Sequence, residues 1–92
     1  LAVVEPSFLV SYTCNLAPSG SALGRLRQFL AKGGRWLVLH ATNSLLEWRA
    51  DGVAAKGLEH PFLALLGAAF QAHPPYGRFR VQPASAHPLV RG

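Results

Sequence analysis

The stretch LRQFLAKGGRWLVLHATNS, residues 26–44, contains the end of a helix, a tight turn, a strand and a polar corner. Just upstream, Leu23, Leu26 and Leu30 recur at i, i+3 and i+7. Ala22 and Phe29 widen that stripe, while Arg25, Arg27, Gln28 and Lys32 fall elsewhere. This is the pattern of a helix with one buried face. Gly33 and Gly34 end it, because glycine readily takes the left-handed conformation that a helix C-terminus often requires. The start is open at this level: Pro18 suits a first helical position behind Ala17, and Ser19 or Ser21 suits the cap of a shorter helix. Gly20 and Gly24 each cost about 1 kcal/mol relative to alanine inside a helix, so the helix depends on packing. Residues 35–40 then form an apolar strand that closes on His40.

Upstream, Phe8, Leu9, Val10, Ser11 and Tyr12 make a second short, mostly apolar run that ends in the polar turn Thr13-Cys14-Asn15. A strand covered on both faces reads this way. Strand, helix, glycine turn and strand within roughly 35 residues make a βαβ unit, whose crossover is right-handed in nearly all cases. The strands then run parallel, and their carboxyl ends lie on one edge of the sheet. Ligands of open α/β sheets bind outside those ends. Thr13-Cys14-Asn15 and His40-Ala41-Thr42-Asn43-Ser44 therefore become the candidate site before any residue chemistry is considered.

The second half is less regular. Residues 44–57, SLLEWRADGVAAKG, read as a short helical turn and a surface loop. HPFLALLGAAF, residues 60–70, reads as a helix with Phe62, Leu65, Leu66 and Phe70 on one side, broken by the prolines after His73. Tyr76 to Val81 alternates Tyr, Arg and Arg with Gly, Phe and Val, as a half-exposed edge strand does. The end of the chain reads as a turn.

Half of the 92 residues are apolar and 14% are charged, which argues for a folded core and against disorder. A chain this short forms at most one domain and buries only about 60% of its unfolded surface. It opens on Leu1 and runs almost at once into strand-like sequence, so it is expected to be a piece of a longer protein. The net charge of +5 reflects nine Lys and Arg against four Asp and Glu, spread without a cluster. Nucleic-acid binders concentrate positive charge on one face, so no nucleic-acid partner is expected. No apolar run reaches the ~18 residues of a membrane span, and no signal peptide is visible.

The chemistry is concentrated in histidine. His40 ends a strand, while His60, His73 and His87 each precede proline. None is paired at a spacing that marks a zinc site by itself, so a divalent metal held by distant histidines is the one cofactor left open. His40 reads as functional slightly ahead of structural, His73 and His87 balance the two readings, and His60 reads as structural. Cys14, the single cysteine, excludes an internal disulfide and a multi-cysteine zinc site. A thiol activated by His40 is conceivable at that edge, although a lone cysteine is more often a small apolar residue. There is no nucleophile elbow, dinucleotide fingerprint or phosphate loop. The four acids (Glu5, Glu47, Asp51, Glu59) fall in loops or chain ends and do not form a pair suited to glycoside cleavage.

The ordered set LRQFLAKGGRWLVLHATNS, Glu47-Trp48, LLGAAFQAHPPYGRFRV and AHPLVRG resembles the ThuA-like (trehalose-utilisation) domain family. Members carry a helix ending in Gly-Gly, an apolar strand, L-H-[AG] and a polar turn, then an L-L-G-x-x-F-x-x-H-P-P segment and D-H-P-[IL]-x-x-G. Some share Tyr-Thr-Cys, matched here by Tyr12-Thr13-Cys14. The likeness spans nearly the whole chain. Ala86 stands where the family has an acid, and Ala17 where it has a capping Thr or Ser.

The resemblance implies the class I glutamine amidotransferase-like superfamily and a flavodoxin-like three-layer sandwich with a parallel sheet, here an incomplete fragment in which residues 1–92 form one partial domain. The first βα unit and the closing strands of complete members are expected to be missing, leaving an open sheet edge. The amidotransferase nucleophile follows a central strand, at the position that His40 matches, so glutaminase chemistry is not implied. What is implied is carbohydrate metabolism, with trehalose-type disaccharides or their keto derivatives as substrates. His40, His73 and His87 are the catalytic candidates, and Thr42, Asn43, Ser44 and Cys14 the substrate-contacting ones. Histidine suits the task because its ordinary pKa lies near working pH. The alternative is a non-catalytic sugar-binding or partner-docking module of a larger protein. The expected setting is cytoplasmic, or exported within a multidomain protein, as a homo-oligomer or a fusion to other domains.

Overall fold

A computed structural model describes residues 7–90. Glu5 and the end of AHPLVRG, Arg91 and Gly92, lie outside them. The described chain is a small mixed α/β fold with a two-stranded parallel sheet and a two-stranded antiparallel one. The first unit is β1 (Phe8–Tyr12), α1 (Gly20–Ala31) and β2 (Arg35–Leu39). β1 and β2 pair in parallel, with Leu9 beside Trp36 and Tyr12 beside Leu39. The βαβ expectation therefore holds, and both carboxyl ends open on one edge.

The glycine pair closes α1 as the sequence requires. The Gly33 amide donates to the Leu30 carbonyl at 3.0 Å and the Gly34 amide to the Phe29 carbonyl at 2.9 Å. This is the Schellman arrangement, and it needs the left-handed φ of +89° at Gly33. At the other end Ser19 occupies the N-cap, but its hydroxyl makes no capping bond. Packing, not capping, holds the helix start. Leu23 from α1 enters the core with Leu45, Phe62 and Leu63, and Leu26 and Trp36 pack against them.

The sheet has unequal faces. Leu9, Ser11, Trp36 and Val38 are half-buried, whereas Val10, Tyr12, Leu37 and Leu39 alternate with them and are exposed. Parallel sheets are usually covered on both faces. Among the described residues only one face is.

Three expectations of the second half are corrected. Residues 44–57 do not form a helical turn and loop but a hairpin, β3 (Leu46–Arg49) and β4 (Gly52–Ala55), paired antiparallel with Trp48 opposite Val53. Gly52 takes φ +136° at the turn, a conformation open to glycine. The turn itself is Ala50-Asp51, between Arg49 and its partner Gly52. Tyr76–Val81 is not a strand: it is irregular and fully exposed. Alternation alone does not make a strand without a neighbour to receive its backbone hydrogen bonds.

α2 (Pro61–Leu66) is shorter than the helix read over residues 60–70. Gly67, in the left-handed conformation at φ 72°, ends it, and its amide donates to the Leu63 carbonyl at 2.9 Å. His60 caps the start, its Nδ1 accepting the Phe62 amide at 3.2 Å. The structural reading of His60 is thus borne out. Pro88–Val90 closes the described chain as a 3₁₀ turn.

Candidate functional site

Hydrogen bonds join the loops that leave β1 and β2. The Asn15 amide donates to the Ser44 carbonyl at 2.9 Å, and the Leu46 amide donates to Asn15 Oδ1 at 2.9 Å. Asn15 meets these demands at φ 53°, a left-handed value that asparagine tolerates better than most residues. Beneath them Thr42 is only 2% exposed. Its Oγ1 receives the Thr13 amide and the Thr13 hydroxyl, each at 3.3 Å, and lies 3.1 Å from Ser11 Oγ. The rim expected at the strand ends is present, and a hydroxyl cluster knits it together.

His40 is the first residue after β2 and is exposed. Its Nδ1 lies 3.3 Å from Asn43 Oδ1. An amide oxygen only accepts, so a proton on Nδ1 makes this contact a hydrogen bond that orients the ring. Asn43 does a second job: its carbonyl accepts the Phe70 amide at 3.0 Å. That bond holds the segment after α2 over the His40 turn. The ring of Phe70 comes 5.7 Å from His40, centroid to centroid, and 4.8 Å from His73. His73 itself stands edge-on to His40 at 6.0 Å. A cavity of about 370 Å³ beside them is lined by Val38, Leu39, His40, Asn43, Leu66 and Ala68.

The structure thus brings His40, His73 and Asn43 together. It places the other candidates differently. His87 accepts the Leu89 amide on Nδ1 at 3.1 Å, within the 3₁₀ turn. Thr42 and Ser44 are buried; Thr42 serves the rim through its hydroxyl and Ser44 through its backbone carbonyl. Cys14 is a free, exposed thiol. Phe70, which the sequence placed on a helix face, instead lies against the two imidazoles, and the G-x-x-F-x-x-H spacing of Gly67, Phe70 and His73 was its trace in the sequence.

Among the described residues, no three His, Cys, Asp or Glu side chains are grouped to hold a metal ion. Two imidazoles fall short of the three protein ligands of a catalytic zinc site, so the residues present do not fit such a centre. No helix among the described residues is long and apolar enough to cross a membrane. The chain matches no protein-family model, no curated protein and no solved structure.

Proposed function

We propose that the chain belongs to a ThuA-like α/β domain of the flavodoxin-like, three-layer kind, whose His40 site acts on trehalose-type disaccharides or their keto derivatives. The observation that carries this reading is the approach of His73 to His40 at the carboxyl edge of a parallel sheet, with rings 6.0 Å apart beside an open cavity. Such an edge is where α/β folds place ligands. In this reading His40 is the general base that takes a proton from a sugar hydroxyl or a water through Nε2. His73 is its acid partner, and Asn43 fixes the ring of His40.

Incubating the chain with trehalose and a keto-disaccharide, with products separated by chromatography, tests this. Turnover should fall by about 10²–10⁴-fold in His40→Ala, the usual worth of a positioned acid or base. Unchanged turnover in that variant removes His40 from the chemistry. A second reading, a sugar-binding module without turnover, is favoured by the Phe70–His73 pair at 4.8 Å, an aromatic surface of the kind that can pack on an apolar sugar face. Saturable sugar binding with no product would establish it.

A further inference from the structure

Among the described residues no further strand lies beside β1 or β2. An open edge presents unpaired amides and carbonyls and is a template for another strand. β1 is the more open edge: Tyr12 is 78% exposed against 42% for its neighbour Leu39, and the His40 cavity flanks β2. The same chain carries a strand pattern without a sheet. Residues 76–81 alternate in the strand period, with Gly77, Phe79 and Val81 on one side and Tyr76, Arg78 and Arg80 on the other. Among the described residues no backbone-to-backbone hydrogen bond holds residues 71–86, and Phe79 is 85% exposed. The radius of gyration is 16.0 Å, against about 12 Å for a compact domain of this length. Two prolines keep arm and sheet apart within one chain. Pro74 and Pro75 hold φ at about −65°, and His73 and Pro74, each preceding a proline, are biased to extended backbone. A tight reversal through them would place Pro75 third in the turn, where proline is disfavoured. The arm is therefore led away from the sheet beside which His73 stands.

We propose that residues 76–81 of one copy add as a strand to the outer edge of β1 in a second copy, each chain giving and receiving one arm about a two-fold axis. Phe79 and Val81 then extend the apolar face formed by Phe8, Val10 and Tyr12, and the amides and carbonyls of the arm gain partners. Arg78 and Arg80 fall on the other side of the arm and keep their charge off that face. Exchange of identical elements is a low-cost route to a dimer. Phe8, Tyr12 and Phe79 from both copies, at about 150–250 Å² for each aromatic side chain, bring on the order of 1,000 Å² into contact, as a specific interface needs. This interface is independent of the sugar chemistry at His40 and is read out separately.

The test is light scattering behind size-exclusion chromatography on the whole chain over a concentration series, with amide hydrogen exchange on the same samples. The mass should double as concentration rises, and the Phe79 and Val81 amides should become protected in the dimer alone. Phe79→Asp should weaken association by about tenfold or more, the worth of burying an aromatic side chain. Phe79 is exposed in an irregular segment, so that variant keeps the monomer fold. Val10→Asp, on the receiving strand, should weaken association as well. A mixture of the two variants regains one intact contact of the two and should associate more tightly than either variant alone. A chain that stays monomeric throughout overturns the proposal, and so does a dimer indifferent to Phe79→Asp, which would pack sheet on sheet. Protection of the arm amides in the monomer also overturns it, because the arm then lies on its own chain. Should Val10→Asp fail to fold, Phe79→Asp and the exchange pattern decide.

Discussion

His73 meets His40 edge-on, the two rings 6.0 Å apart and 80° to one another, although one follows a strand and the other lies well beyond the second helix. The Phe70 amide bonded to the Asn43 carbonyl at 3.0 Å is what brings them together. If the pair acts as base and acid, His73→Ala should lower sugar turnover by about 10²-fold or more. The far-UV circular dichroism should stay unchanged, because the His73 side chain is exposed. Equal turnover in the variant and the parent would separate the two imidazoles functionally.

Thr42 is the joint of the rim. Thr42→Val removes the oxygen that receives the Thr13 amide and hydroxyl, leaving those donors unmatched. A loss of about 1–3 kcal/mol in urea unfolding is expected. Thr42→Ser keeps the oxygen and should lose less. Equal losses in the two would mean that the methyl group, not the hydroxyl, matters.

The glycine turn before β2 gives two unlike responses. Gly33 has φ +89°, with nothing within 4 Å of where a Cβ would go, so Gly33→Ala should cost about 1 kcal/mol through backbone strain alone. At Gly34 an added Cβ would come 2.5 Å from the Phe29 ring. Gly34→Ala should cost about 1–3 kcal/mol through overpacking, with Phe29 displaced. Thermal unfolding of the two variants side by side provides the ranking.

His60 caps α2 through Nδ1, with Pro61 at the first helical position. His60→Ala should cost about 0.5–2 kcal/mol and leave sugar turnover unaltered, in contrast to His40→Ala. A drop in turnover at full stability would mean that His60 has a role beyond the cap.

Glu59 provides an acid limb. Its carboxylate accepts the Gly57 amide at 2.9 Å, and that bond, first among the causes, holds its pKa below the ordinary 4.5. Its own backbone amide and the nearby His60 and Lys56 act in the same direction. A depressed carboxyl contributes stability above its unfolded pKa and loses it as pH falls through the folded one. Glu59→Gln should therefore flatten the decline in unfolding free energy below about pH 4.5, where the parent chain weakens. Parallel acid limbs in the two proteins would contradict this.

The resemblance placed His40 and His73 in one site and left unsaid how they meet. Their meeting depends on an amide far along the chain finding the Asn43 carbonyl, and no periodicity encodes such a bond. The hydroxyl cluster was hidden for the same reason. Ser11, Thr13 and Thr42 read as ordinary strand-end polar residues until register sets them within 3.1–3.3 Å of one another. The hairpin at β3 and β4 turns through Ala50 and Asp51, with Gly52 opposite Arg49, and these turn residues carry no strong hairpin signal of their own.

By itself the sequence determined the βαβ unit, its glycine stop and the position of His40 at the end of a strand. Those features follow from local stereochemistry: a 3.6-residue stripe, a left-handed turn that glycine adopts easily, and a strand bounded by polar residues. Only the tertiary structure decided that His73 approaches His40, that Thr42 and Ser44 lie inside, and that a cavity opens against Trp36. Each of these is set by hydrogen bonds and packing between distant segments, whose energies depend on where the whole chain goes and not on the residues at either end of the contact.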